Sequence, residues 1–133
     1  MIIYDREVRF IMIKGIGIDL IELERIKKSL AKNDRLVTRI LTRNEQNVFL
    51  KLQSERRKVE FLAGRFSAKE AFAKATGQGI GKLSFQDIEV LADKNGAPIM
   101  TANGYEAFNI FISITHSDHY AAAQVVIENN YKV

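Results

Sequence analysis

The period of the apolar positions changes along the chain, and each change marks a boundary. From Ile13 to Ile21 the order IKGIGIDLI alternates apolar with small or polar residues, a period of two that predicts a strand whose glycines admit close backbone approach. Asp19 is expected to close it. ELERIKKSL then moves to helical spacing, with Leu23, Ile26 and Leu30 on one side and Arg25, Lys28 and Lys32 roughly opposite. Thr42 and Glu45 stand at capping-box spacing, so a helix should begin at Arg43. The longest helical pattern runs from Glu55 to Thr76 and stops at Gly77, the residue type that commonly follows a helix C-terminus. After it the period returns to two. DIEVLAD and APIM flank Lys94, Asn95 and Gly96, a strong hairpin signal, and IFISITH pairs with YAAAQVVIE across Ser117 and Asp118. Helices first and strands mostly later predict an α+β fold, with helices packed on a mainly antiparallel sheet.

At about 100° per residue, Val59, Leu62, Ala63, Phe66, Glu70 and Ala73 share one face of the long helix. Phe61, Ala68 and Phe72, with Arg65 among them, share another. Such a helix is covered on two sides, as a central or an interface helix would be. Glu70 lies inside an apolar stripe, where an isolated ionised carboxylate is costly and must be neutral, paired or metal-bound. One reading pairs it with Lys74 at i,i+4, which stabilises any helix. The other pairs it with a second carboxylate around a cation. Asp19 is the best candidate for that second group, because a strand of small residues packed closely on the helix would bring it within reach. Two carboxylates with remaining positions filled by water and phosphate oxygens suit Mg²⁺.

Composition narrows the partners without choosing among them. The 133 residues, 47% of them hydrophobic, suffice for one domain with a real core. With no cysteine, disulfides and thiolate metal sites are excluded. MIIYDREVRFIMI is interrupted by Asp5, Arg6, Glu7 and Arg9 and so lacks the apolar core of a secretion signal, and no membrane-spanning run follows. The chain reads as cytoplasmic. A net charge of +4 favours an anionic partner.

Several motifs fail informatively. TGQGIGKLS is one residue short of a phosphate-binding P-loop, has Leu83 in place of the hydroxyl residue, and follows a helix instead of opening one. GIGIDL has Leu20 where a dinucleotide fingerprint needs its third glycine. His116 and His119 have the spacing of a metal pair but no third ligand, which favours a hydrogen-bonding turn histidine. Gly77, Gly79 and Gly81 form either a plain turn or a loop whose amides cradle a phosphate.

Taken in order, GIGIDLIELERI, ILTRNE, FLAGRFSAKEAFAKA, GIGKLSFQDIEV, NGAP and SITHSDHYAAAQVVIE resemble the holo-acyl-carrier-protein synthase family of phosphopantetheinyl transferases, from about residue 12 to residue 128. The strand G-I-G-x-D followed by F-x-A-K-E-A-x-x-K and S-I-T-H carries the likeness. It implies a single phosphopantetheinyl transferase domain over residues 1–133, with 1–11 as an N-terminal extension and Met12 as the natural start. It implies Mg²⁺-dependent transfer of 4′-phosphopantetheine from coenzyme A to a serine of apo acyl carrier protein, in support of fatty acid synthesis, with release of adenosine 3′,5′-bisphosphate. A homotrimer with active sites between subunits is also implied. By motif position Asp19 and Glu70 correspond to the metal ligands, Lys74 to a pyrophosphate contact, and Arg65 and His116 to the coenzyme A cleft. The base that takes the serine proton stays open among Glu70, Asp19 and a metal-bound water.

Arg25, Lys28, Lys32 and Arg35 recur at spacings of three and four after Asp19. They read either as a solvated helix face or as a docking ridge for the acidic carrier protein. Two rivals remain at this level. A basic nucleic-acid-binding module would explain the charge, but no aromatic recognition strand, zinc-finger pattern or basic arm supports it. A regulatory protein that binds coenzyme A without reacting is separated from an enzyme by looking for the modified carrier protein.

Overall fold

The computed structural model describes residues 2–4, 7–81 and 83–132, with side chains described for 11–81 and 83–129. Its elements in chain order are β1 (Ile2–Tyr4), β2 (Glu7–Glu22), α1 (Leu23–Lys32), α2 (Arg35–Ile40), α3 (Arg43–Leu50) and α4 (Glu55–Thr76). A 3₁₀ turn (Phe85–Asp87) then leads into β3 (Ile88–Ala92), β4 (Pro98–Ala102), β5 (Asn109–His116) and β6 (Tyr120–Lys132). One antiparallel sheet has the order β1-β2-β6-β5, and β3 with β4 forms a separate hairpin, so the chain is α+β as expected.

The capping box at Thr42 and Glu45 has both of its bonds, and α3 starts at Arg43 as its sequence predicts. α4 runs from Glu55 to Thr76 and ends on Gly77 at φ 78°, a left-handed conformation that glycine adopts without steric cost. One boundary is corrected. Asp19 does not close the first strand: β2 continues to Glu22, held by pairing as far as Glu22 with Tyr120. The helix begins only at Leu23, whose N–H donates to the His119 carbonyl. Within the segment 1–11 assigned as an extension, residues 1, 5 and 6 lie outside the described residues. The rest lengthens the sheet, with Ile2, Ile3 and Tyr4 paired to Arg9, Val8 and Glu7.

α4 is the centre of the molecule. Its Leu62, Ala63, Ala68, Ala71, Phe72 and Ala73 are fully buried, and core clusters lie on both sides of it. The inward row of the sheet is small where the helix crosses it: Gly15 and Gly17 on β2, Ala121 and Ala123 on β6. A Cβ on Gly15 would lie 1.8 Å from the Ala75 carbonyl oxygen, and one on Gly17 1.7 Å from that of Ala71. Only glycine permits this approach. The two-sided apolar pattern of α4 is therefore satisfied inside one chain, as a central helix. The apolar surface lies elsewhere. Alternation along β2 turns Ile16, Ile18 and Leu20 outward at 61%, 65% and 63% exposure, with Phe111 of β5 also outward at 55%.

Candidate active site

The glycine contact between β2 and α4 fixes what stands next to it. Two residues beyond Gly17 on the same face of β2 is Asp19, and flanking Ala71 on α4 are Glu70 and Lys74. The Lys74 ammonium donates to Asp19 Oδ1 at 3.1 Å and to the Ile18 carbonyl at 3.0 Å. Lys74 thus pairs with Asp19, and no Glu70–Lys74 ion pair forms among the described residues. Glu70 is half-buried instead of lying at the centre of an apolar stripe. Burial pushes its carboxyl above the usual range, and the negative charge of Asp19 pushes it further, with Lys74 and Arg39 acting against both. The second oxygen of Asp19, Oδ2, is buried with no hydrogen-bond partner among the described residues.

This arrangement fits a divalent cation. Two carboxylates repel one another, one of them keeps an unsatisfied buried oxygen, and a single lysine compensates only the other oxygen. No group of three His, Cys, Asp or Glu side chains able to hold a metal occurs among the described residues. Mg²⁺ needs no such group, since it keeps several waters and is bound through one or two carboxylates plus substrate phosphate.

Arg65 and His116 form a second cluster. Both line a cleft of about 320 Å³ together with Phe61 and Glu60. The Arg65 guanidinium lies 4.0 Å over the Phe61 ring and donates to the Val90 carbonyl at 3.4 Å. Burial lowers its pKa and Glu45 opposes the shift, but a guanidinium starts so high that it stays cationic. His116 Nδ1 stands 3.3 Å from Glu60 Oε2, which also accepts from Arg56 Nε at 3.0 Å. None of Asp19, Glu70 and Lys74 lines this cleft. His119 lines a different cleft, of about 570 Å³, from the one that His116 lines.

The glycine loop departs from expectation. The amides of Gly77, Gly79 and Gly81 already donate to the carbonyls of Lys74, Ala73 and Leu83, so none is free to cradle a phosphate in this conformation. Lys82, the lysine of the failed P-loop pattern, lies outside the described residues. The basic ridge is also broken: Arg25, Lys28 and Lys32 are exposed on α1, but Asn33 is extended and Arg35 opens α2.

A family model described as the 4′-phosphopantetheinyl transferase superfamily matches residues 15–127. The chain belongs to this superfamily. Among its relatives, a holo-[acyl-carrier-protein] synthase of a Geobacillus species is 57% identical over 118 residues, covering 88% of this chain and 98% of the relative. The synthase of Oceanobacillus iheyensis is 56% identical over 117 residues, with 88% and 98% covered. A crystal structure of the Bacillus anthracis synthase in complex with coenzyme A (3′,5′-ADP) has a TM-score of 0.80 at 52% identity, covering 89% of this chain and 98% of that one. A Helicobacter pylori synthase in complex with coenzyme A has a TM-score of 0.73 at 33% identity, with 84% and 98% covered.

Within the transferase, sequence reasoning missed the groups that hold the site together. Lys69, beside Glu70, is fully buried; it donates to Glu45 Oε1 at 2.5 Å and to the carbonyls of Ile40 and Phe85 at 2.7 and 3.1 Å. Glu45 Oε1 also accepts from the Thr42 amide and Oε2 from the Val90 amide, so one ion pair ties α2, α3, α4 and β3. Its only signal was the capping box, which explains Glu45 without a lysine. Glu60, the partner of His116, was legible as an i,i+4 pair with Arg56.

Proposed function

We propose that this chain is a Mg²⁺-dependent, cytoplasmic holo-[acyl-carrier-protein] synthase that moves 4′-phosphopantetheine from coenzyme A to a serine of apo acyl carrier protein. The observation that carries the assignment is the meeting of Asp19 and Glu70 at the glycine contact, where the charge of Asp19 helps hold the Glu70 carboxyl above its usual range. Asp19 and Glu70 are the residues that would hold the cation. When bound, Mg²⁺ neutralises the pyrophosphate and lowers the barrier to attack on it. The serine oxygen forms a bond to the β-phosphorus, the bond from that phosphorus to the bridging oxygen breaks, and adenosine 3′,5′-bisphosphate leaves. The serine proton passes to a carboxylate or a water of the site. Lys74, half-exposed and already aimed at Asp19, supplies a positive charge to the pyrophosphate.

Arg65 and His116 bind coenzyme A from their own cleft, and the two clusters join where neighbouring copies of a homotrimer meet. The outward face of Ile16, Ile18, Leu20 and Phe111 is the surface such copies would cover, since apolar patches of this kind mark association sites. Gly77, Gly79 and Gly81 shape the edge of the coenzyme A site without donating their amides. Arg25, Lys28 and Lys32 form a short docking ridge for the acidic carrier protein, with Arg35 beyond its end.

The test is the intact mass of apo carrier protein after incubation with this chain, coenzyme A and Mg²⁺. A phosphopantetheine adduct that requires the divalent cation is expected, and Arg25→Glu should raise the KM for carrier protein while leaving that for coenzyme A unchanged. No adduct with any divalent metal would reduce the chain to a coenzyme A-binding protein.

A further inference from the structure

Ser67 is fully buried in α4, and its hydroxyl has no hydrogen-bond partner among the described residues. Leaving a hydroxyl unsatisfied in a protein interior is costly, and alanine would fill the same place without that cost, as it does at Ala71 and Ala75 on the same helix face. A second buried orphan is Asp19 Oδ2.

The packing register brings these two residues to neighbouring positions on the facing elements. Gly15 meets the Ala75 carbonyl and Gly17 meets that of Ala71, so β2 runs against α4 with two strand residues per four helix residues. Those steps match, at about 6.6 Å along a strand and about 6 Å along a helix. One more step brings Asp19 to Ser67. The row across the sheet agrees: Asp19 pairs with Ala123 and Ala123 with Ile114, whose Cγ2 would lie 3.1 Å from a Cβ on Gly64, close before Ser67 on α4. Ser67, Glu70, Ala71 and Lys74, at i, i+3, i+4 and i+7, share one side of the helix. Asp19 already bonds one of them, Lys74.

We infer that Ser67 is a positioning residue of the active site: its hydroxyl and Asp19 Oδ2 share one bound water that holds the Asp19 carboxylate ready for the divalent cation. Buried waters typically satisfy such pairs of polar groups. The last clause of the inference rests on Asp19 being a cation ligand; the coupling of Ser67 to Asp19 does not.

A double-mutant cycle tests it, using Ser67→Ala, Asp19→Asn and the pair in the full chain. Thermal unfolding is measured in EDTA, and Mn²⁺ is titrated without substrates. Ser67→Ala should lower the midpoint by roughly 3 °C in the wild-type background. It should do nothing further in the Asp19→Asn background, and it should weaken Mn²⁺ binding about 10-fold. A Ser67→Ala chain that melts at or above the wild-type temperature, or that binds Mn²⁺ as tightly, overturns the inference, because a hydroxyl that merely fills space is better replaced by alanine. If wild type binds no Mn²⁺, the cation reading of Asp19 fails by itself, and the melts decide the coupling: additive effects sink it and non-additive effects uphold it.

Discussion

At Glu70, burial first and Asp19 second hold the carboxyl above its usual range, against Lys74 and Arg39. A carboxyl raised in the folded state binds more protons there than in the unfolded chain, over the interval between the ordinary value and the raised one. Stability therefore falls as pH rises through that interval, and a bound divalent cation reverses the penalty by neutralising the pair. Glu70→Gln should cut transfer by about 100-fold or more, since it removes charge from a two-carboxylate site without changing its shape. In EDTA, wild type should lose thermal midpoint on going from about pH 5 to pH 8 more steeply than Glu70→Gln does. Equal slopes in the two melts would mean that Glu70 titrates as an ordinary surface carboxylate. Next to it, Lys69 illustrates the opposite solution. Burial lowers its pKa and Glu45 raises it back, and three acceptors use all three of its donors.

The contact of β2 with α4 is the element on which the site depends, and its tolerance can be measured. Gly17→Ala puts a carbon 1.7 Å from the Ala71 carbonyl oxygen, backbone that cannot step aside alone. The cost should be about 3 kcal/mol or more in urea unfolding. Gly81→Ala meets nothing within 4 Å and should stay within about 0.5 kcal/mol. Comparable losses for the two would contradict the tight helix–strand contact. Elements with local signals were legible in the sequence: the capping box at Thr42, the stop at Gly77 and the turn at Gly96, whose φ is 83°. What depended on tertiary pairing was not. β2 continues past Asp19 because β6 lies alongside it, and α2 is a six-residue helix with no side-chain cap bond to announce it. The partner of Asp19 is Lys74 and the fully buried charge of α4 is Lys69 instead of Glu70, because periodicity gives a helix face but not its depth.

At the scale of the whole molecule, one chain holds two separate clusters that we propose as halves of a site: Asp19, Glu70 and Lys74 at the glycine contact, and Arg65 with His116 in a cleft that none of those three lines. The apolar sheet face, with Ile18 at 65% exposure, is the surface proposed to bring different copies together. The two clusters are therefore expected to function across a subunit boundary. The most direct measurement mixes Asp19→Asn and His116→Ala chains by co-refolding and assays transfer to carrier protein. Each variant alone should be nearly inactive. The mixture should recover about one quarter of the wild-type rate, because about one in four random neighbour pairs joins two intact halves. A mixture no more active than either variant alone would contradict a shared site and place all five residues in the service of one chain.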